Sequence, residues 1–285
     1  MSNKYPVAVL GAGTMGTGIA HVFAQYGHPV AWVEVDRARW EKALATVSQN
    51  ADRQVKKGML TPDEKEALLK RLTLHAEIPP ALEGVELVVE AVPEDIALKT
   101  SVWKEVSTHA SETAILATNT SSISITLLAA QVRRPERFIG MHFMNPVPVM
   151  RLVEVIQGLQ TSPDTVQKTM EIARSLGKEP VLVQDYPGFV SNRVLMPMIN
   201  EAIYALYQGV ATREAIDSIM KLGMNHPMGP LELADFIGLD VCLSILRVLH
   251  EGFGDPKYAP CPLLVNMVNA GYLGRKSGRG FYEYS

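Results

Sequence analysis

Two residues in this chain of 285 are spaced to move a proton. His142 stands near the end of an apolar run, Phe138 to Phe143, and Glu154 lies in the next one, Arg151 to Ile156. A proline-bearing loop, Met144 to Met150, joins the two runs. If the runs are neighbouring strands, imidazole and carboxylate face each other across the loop mouth. The carboxylate would then fix the ring tautomer and offset the charge of the imidazolium that forms. A structural histidine beside a surface glutamate is the alternative, and spacing alone leaves both readings open. His21, His28, His75, His109 and His250 lie in helix or loop contexts with no polar constellation nearby, and His226 sits in a proline-rich turn.

A proton carrier needs a partner that takes the electrons, and the amino-terminal stretch offers one. Val7 to Ile19 reads VAVLGAGTMGTGI. An apolar strand ends in glycine, Gly11, Gly13 and Gly16 fall in the spacing G-x-G-x-x-G, and a helix-forming segment follows. Gly11 makes the tight turn, Gly13 admits a pyrophosphate to the backbone, and Gly16 lets helix and strand pack closely. The helix, read from Met15 to Gln25, follows Thr14, and the free N–H groups and positive dipole end at Thr14 and Met15 suit that pyrophosphate. The second strand, Pro29 to Asp36, carries Glu34 where a dinucleotide site needs a carboxylate for the ribose hydroxyls. That carboxylate repels a 2′-phosphate and favours NAD as the cofactor. Asp36 competes for the role, and Arg37 and Arg39 lie close by.

The surrounding elements suit such a site. Strands alternate with helices from Pro6 to Val183, which predicts an α/β, Rossmann-type doubly wound and mainly parallel sheet. Ligands bind beyond the carboxyl ends of such strands. Pro93, Asn119 and His142 lie at or near those ends. Arg37 to Lys57 and the segment capped by Thr61 read as a helical hairpin inserted into this fold, with Pro62 at its first position and Glu64 completing a capping box. Arg53, Lys56 and Lys57 cluster near its tip. Asp185-Tyr186-Pro187-Gly188 marks a boundary, giving a dinucleotide-binding domain over 1–185 and an all-helical domain over 186–285. The helices expected there are Val190 to Tyr207, Thr212 to Leu222, Leu231 to Glu251 and Leu263 to Ala270. Leu239, Val241, Leu243, Ile245, Leu246 and Val248 surround much of one of them, which suits a core or a subunit interface.

Composition narrows the partners. With 47% hydrophobic and 20% charged residues and a net charge of −3, the chain reads as globular, with no nucleic-acid or membrane-surface partner. Cys242 and Cys261 are its only cysteines, without metal-ligand spacing, so no metal is expected and a reducing, cytoplasmic location is. A first strand at Pro6 leaves no room for a signal or transit peptide, and no apolar run is long enough to span a bilayer.

Taken with its context, the chain resembles the NAD-dependent 3-hydroxyacyl-CoA dehydrogenases over nearly its whole length. The resemblance rests on GAGTMG at Gly11 to Gly16, EAVPED at Glu90 to Asp95, NTSS at Asn119 to Ser122 and, most specifically, GMHFMNPVPVMRLVEV at Gly140 to Val155. PGFVSNRV at Pro187 to Val194, MGPLELAD at Met228 to Asp235 and GRKSGRGFYEY at Gly274 to Tyr284 complete it. The resemblance implies hydride transfer between NAD(H) and a 3-hydroxyacyl-CoA, of the 3-hydroxybutanoyl-CoA type, in fatty acid or butanoate metabolism. It implies that His142 is the acid/base and Glu154 its orienting carboxylate, with Ser121 and Asn192 beside the substrate's 3-oxygen and thioester. Glu94, Lys99, Asn119, Asn145 and Lys276 match cofactor-contacting positions, and Lys57 a position near the CoA phosphates. A homodimer through the helical domain is also implied. The family carries Asp more often where Glu34 stands. Rival readings are a dehydrogenase of a free hydroxy acid (gulonate- or carnitine-type), a hydrolase built on Ser121, which lacks the G-x-S-x-G elbow, and a non-catalytic NAD-binding protein.

Overall fold

The computed structural model describes residues 4–284. The chain forms two compact units that divide after Asp185.

The first unit begins with β1 (Val7–Leu10), α1 (Thr14–Gln25) and β2 (Val30–Val33). The hairpin of α2 (Arg37–Lys56) and α3 (Pro62–Lys70) follows. Both hairpin helices start on satisfied caps. Asp36 accepts from the amides of Ala38 and Arg39, and Thr61 and Glu64 exchange hydrogen bonds in a capping box. The chain continues through β3 (Leu72–His75), α4 (Ile78–Ala81), β4 (Leu87–Glu90), α5 (Ile96–His109), β5 (Ile115–Thr118), α6 (Ile125–Ala129), β6 (Phe138–Phe143), β7 (Leu152–Gln157), α7 (Pro163–Ser175) and β8 (Glu179–Gln184).

These strands form one eight-stranded sheet in the order β3-β2-β1-β4-β5-β6-β7-β8. Every pairing is parallel except β6 with β7. Helices cover both faces, so β1, β4, β5 and β6 are buried along their whole length and read as unbroken apolar runs. Phe23 from α1 packs with Val9, Trp32, Val89, Met141 and Val153 of the sheet in one core. The strand order reverses between β1 and β4, which opens a crevice at their carboxyl ends.

Three short elements of this unit carry no sequence signal of their own. Only Leu72 of β3 is buried, α4 and α6 are single turns, and none shows a period. Packing against neighbours, not local preference, makes them.

The second unit is helical, as its sequence predicts: α8 (Ser191–Tyr207), α9 (Arg213–Gly223), α10 (Pro230–Ile237), α11 (Leu239–Phe253) and α12 (Pro262–Asn269). The single helix expected over Leu231 to Glu251 is two. Gly238 at φ +106° lies outside helical space, ending α10 and starting α11. Leu239, Leu243 and Leu246 of α11 join Met196, Leu231 and Phe281 in this unit's own core. Two buried carboxylates tie down its last residues. Asp235 accepts from the amides of Phe281 and Tyr282 and from the Tyr284 hydroxyl, and Asp217 accepts from the Tyr282 hydroxyl. Burial pushes the Asp235 carboxyl up from its ordinary value. No helix among the described residues is long and apolar enough to cross a membrane.

Candidate active site

In the glycine-rich turn between β1 and α1, Gly11 and Gly16 stand where no side chain fits. Gly11 takes φ +100°, and a Cβ there would lie 2.8 Å from the Ala91 carbonyl oxygen. A Cβ on Gly16 would lie 2.0 Å from the Gly11 oxygen, so only glycine lets α1 approach β1 this closely. Gly13, at the N-cap of α1, faces open space, with nothing within 4 Å of a Cβ built on it. That open approach to free helix amides fits a pyrophosphate. Glu34 sits just past the end of β2 and bends toward this turn. One of its oxygens accepts from the Ala12 amide at 3.1 Å and the other from the Asp36 amide at 3.1 Å, with the Arg39 guanidinium 3.9 Å away. Asp36 is occupied as the cap of α2, which leaves Glu34 as the carboxylate beside the glycines.

His142 and Glu154 are paired directly across the antiparallel β6–β7 ladder. Opposed residues of such a pair project on the same face of the sheet. Here His142 Nδ1 lies 2.8 Å from Glu154 Oε2, with the residues 9% and 2% exposed. An ionised carboxylate only accepts, so the hydrogen of this bond sits on Nδ1. The Asn119 Oδ1 accepts from the Phe143 amide at 2.8 Å, tying the end of β5 to the residue after His142. The peptide bond between Asn145 and Pro146, in the loop that leaves β6, is cis.

A second polar cluster occupies the carboxyl ends of β4 and β5. One oxygen of Glu94 receives the Thr120 hydroxyl at 2.5 Å, the amides of Ser121 and Ser122 at 3.0 and 3.1 Å, and the hydroxyls of Ser122 and Ser121 at 3.1 and 3.4 Å. Burial pushes the Glu94 carboxyl up, but the Lys99 ammonium and these donors outweigh it and hold it below its ordinary value. Lys99 is 1% exposed and lies 2.6 Å from Glu90 and 3.4 Å from Glu94. Glu90 also accepts from the Thr118 hydroxyl at 2.7 Å and the Val92 amide at 2.8 Å. Sequence reasoning quoted Glu90 within a motif but gave it no role. The signal was available: it is the charged residue closing the buried strand β4, and Lys99 stands nine positions on.

The structure therefore brings the glycines to Glu34, His142 to Glu154, and Glu94 to Ser121 and Lys99. Lys57 stands exposed at the end of α2, with no side-chain hydrogen bond or ion pair among the described residues. In the helical unit, Asn192 occupies the first turn of α8 and Lys276 pairs with Asp240 at 2.5 Å. His21 corrects the sequence reading, which placed no polar constellation near it. Its Nε2 lies 3.0 Å from Gln54 Oε1, and Gln54 donates on to Gln25, linking α1 to α2.

A glycine cradle with its carboxylate, on the same sheet edge as a buried His–Glu pair, defines a dinucleotide-dependent oxidoreductase. Comparison with known proteins makes this specific. Residues 6–186 match the NAD-binding domain model of 3-hydroxyacyl-CoA dehydrogenase, and residues 188–284 match its C-terminal domain model. The chain belongs to the 3-hydroxyacyl-CoA dehydrogenase family. It is 53% identical over 278 residues to the 3-hydroxybutyryl-CoA dehydrogenase of Bradyrhizobium diazoefficiens, covering 98% of this chain and 94% of that one. It is 47% identical over 279 residues to the 3-hydroxybutyryl-CoA dehydrogenase of Clostridioides difficile, covering 98% and 99%. The crystal structure of (S)-3-hydroxybutyryl-CoA dehydrogenase from Ralstonia eutropha superposes with a TM-score of 0.97 at 49% identity, over 99% of this chain and 100% of that one.

Proposed function

We propose that this enzyme interconverts a short (S)-3-hydroxyacyl-CoA, 3-hydroxybutanoyl-CoA foremost, and the corresponding 3-oxoacyl-CoA. The observation that carries the reading is the 2.8 Å pair of His142 and Glu154, on the same edge of the sheet as the glycine cradle. Bound NAD supplies the hydride acceptor, and NADH the donor in reverse. His142 Nε2 takes the 3-hydroxyl proton in oxidation and returns it in reduction. Glu154 keeps Nδ1 protonated and offsets the positive charge as the ring becomes imidazolium. Ser121 and Asn192 hydrogen-bond the substrate oxygens where negative charge develops.

On the cofactor side, the Gly13, Thr14 and Met15 amides take the pyrophosphate and Glu34 the ribose hydroxyls. Glu94, Asn119, Asn145 and Lys276 are assigned to the remainder of the cofactor. Lys99, already committed to two carboxylates, serves by holding Glu94 in place. Lys57, free on the hairpin, meets the CoA phosphates. We infer a homodimer formed through the helical unit, in the cytoplasm. Val210, Ile219, Leu222 and Phe236 of that unit are 58% to 87% exposed, which supports an apolar contact, and two unpaired cysteines suit a reducing compartment.

An NADH-absorbance assay tests the reading. Acetoacetyl-CoA should be reduced with NADH far faster than with NADPH, and free hydroxy acids of the gulonate or carnitine type should turn over poorly in the reverse direction. Equal efficiency with the free acids would refute the CoA assignment. Light scattering on a sizing column should give twice the chain mass, and a monomer would refute the dimer.

A further inference from the structure

Lys178 is a buried cation for which the chemistry above has no use. It lies between α7 and β8 and is 8% exposed. Its Nζ donates to the carbonyl oxygens of Val147 at 2.5 Å and Met150 at 2.7 Å. Among the described residues no carboxylate lies within ion-pair distance of it. Taking an ammonium out of water against neutral carbonyls alone is costly. A residue kept at such a cost must fix something that packing alone does not.

What it fixes is the connection between the two strands of the dyad. Val147 and Met150 belong to the loop that leaves His142 on β6 and returns to Glu154 on β7. Within that loop the Pro146 oxygen accepts from the amides of Val149 and Met150, both at 2.9 Å, closing a tight turn just after Asn145. The loop also presses on α1: a Cβ on Gly18 would lie 2.7 Å from the Val147 Cβ. Lys178 thus grips a turn whose other side rests on the helix that opens at the glycine cradle.

We propose that Lys178 is a positioning residue for hydride transfer, its ammonium holding the β6–β7 loop against α1 so that His142 and Asn145 keep a fixed place relative to the glycine cradle. This rests on the roles given to His142 and Asn145 above. A misplacement of about 1 Å at a reacting group lowers its rate about 10²-fold. Releasing the clamp should therefore slow the hydride step while leaving the adenosine end of the cofactor site intact.

The test is single-turnover oxidation of enzyme-bound NADH by saturating acetoacetyl-CoA, with wild type, Lys178→Met, Lys178→Arg and His142→Gln compared. The rate constant does not depend on how much of a preparation is folded, so a merely structural loss changes amplitude only. In Lys178→Met the rate constant should fall about 10- to 10²-fold. NADH affinity should change far less than the rate constant, since the pyrophosphate and ribose contacts at the glycine cradle are untouched. Lys178→Arg, which keeps the charge, should recover part of the loss. A wild-type rate constant in Lys178→Met overturns the proposal. If that variant does not fold, Lys178→Gln, which removes the ammonium but keeps a polar end, takes its place, and a wild-type rate constant there overturns the proposal. A fast His142→Gln would instead refute the underlying dyad.

Discussion

Replacing Glu154 with Gln keeps the shape of the dyad and removes its charge. In the wild type the carboxylate lies 2.8 Å from Nδ1, and both residues are almost wholly out of solvent. Hydrogen bonds to charged groups contribute about 1.5–3 kcal/mol. The full attraction between imidazolium and carboxylate, at a charge separation of ~4 Å and an effective dielectric of ~20, is about 4 kcal/mol. These figures bracket what the imidazolium loses in Glu154→Gln. At about 1.4 kcal/mol per tenfold, turnover should fall about 10- to 10³-fold. The larger loss applies if the new amide turns its NH₂ toward Nδ1. The ring hydrogen then moves to Nε2, and the lone pair that must take the substrate proton is gone.

The assay is kcat for acetoacetyl-CoA reduction, with NADH binding followed separately by fluorescence and folding by melting temperature. NADH affinity should be unchanged, because Glu154 touches His142 rather than the cradle. On a His142→Gln background the same replacement should have almost no further effect, since residues that act as a unit are not additive. Turnover in Glu154→Gln within about threefold of wild type, with normal NADH binding, would refute the assigned role, as it lies below the smallest figure above.

Three further outcomes follow from named contacts. Gly16→Ala puts a Cβ 2.0 Å from the Gly11 oxygen and should lower the melting temperature by several degrees at about 2–4 °C per kcal/mol, whereas Gly13→Ala, with open space around it, should melt normally and bind NADH weakly; equal melting losses would contradict the division of labour. Burial holds the His21 imidazole below its ordinary value against the opposing pull of Gln54, so the unfolded chain takes up a proton that the fold refuses. The stability this contributes is complete above about pH 6.5 and is lost as pH falls, so His21→Asn should flatten the drop in urea midpoint between about pH 7 and pH 5. Lys57→Ala should raise KM for acetoacetyl-CoA at low salt, with the difference shrinking as ionic strength rises, and should leave KM for a CoA-free analogue unchanged; an equal effect on both would exclude a phosphate contact.

The parts of this site that were legible in the sequence are those set by local rules. Glycine spacing, the acid beyond β2 and the capping box at Thr61 each depend on a few adjacent residues, and each takes the form its spacing predicts. Asp36 and Glu34 could not be separated from sequence, because both stand at the end of the same strand. The helix cap decides between them, since Asp36 is already committed to the amides of Ala38 and Arg39. The hub of Glu90, Lys99 and Thr118 was less legible, because it is made by adjacency of β4 and β5 rather than by spacing along the chain. The break at Gly238 was hidden for the opposite reason. Apolar residues continue across it, and only the backbone angle reveals that the helix does not.

The antiparallel pairing of β6 and β7 explains why the dyad is rigid although a loop joins its two strands. Shifting one strand by a single residue turns all its side chains to the other face, so the dyad exists in one register and fails in its neighbours. Every other strand pair in the sheet is parallel, and no such pair is joined by a short loop. Here the connection is a short loop, and each of its ends is held from outside the pair. Asn119 grips the Phe143 amide at the end of β6, and Lys178 grips the carbonyls of Val147 and Met150 before β7 begins. Both holders belong to flanking segments, one after β5 and one before β8, so the register of the dyad strands is set by the sheet on either side of them. It follows that the place of His142 in the site is set by the sheet on both sides of β6 and β7, and that changes at Lys178 should act on the chemistry by moving the loop end of the dyad strands relative to the glycine cradle.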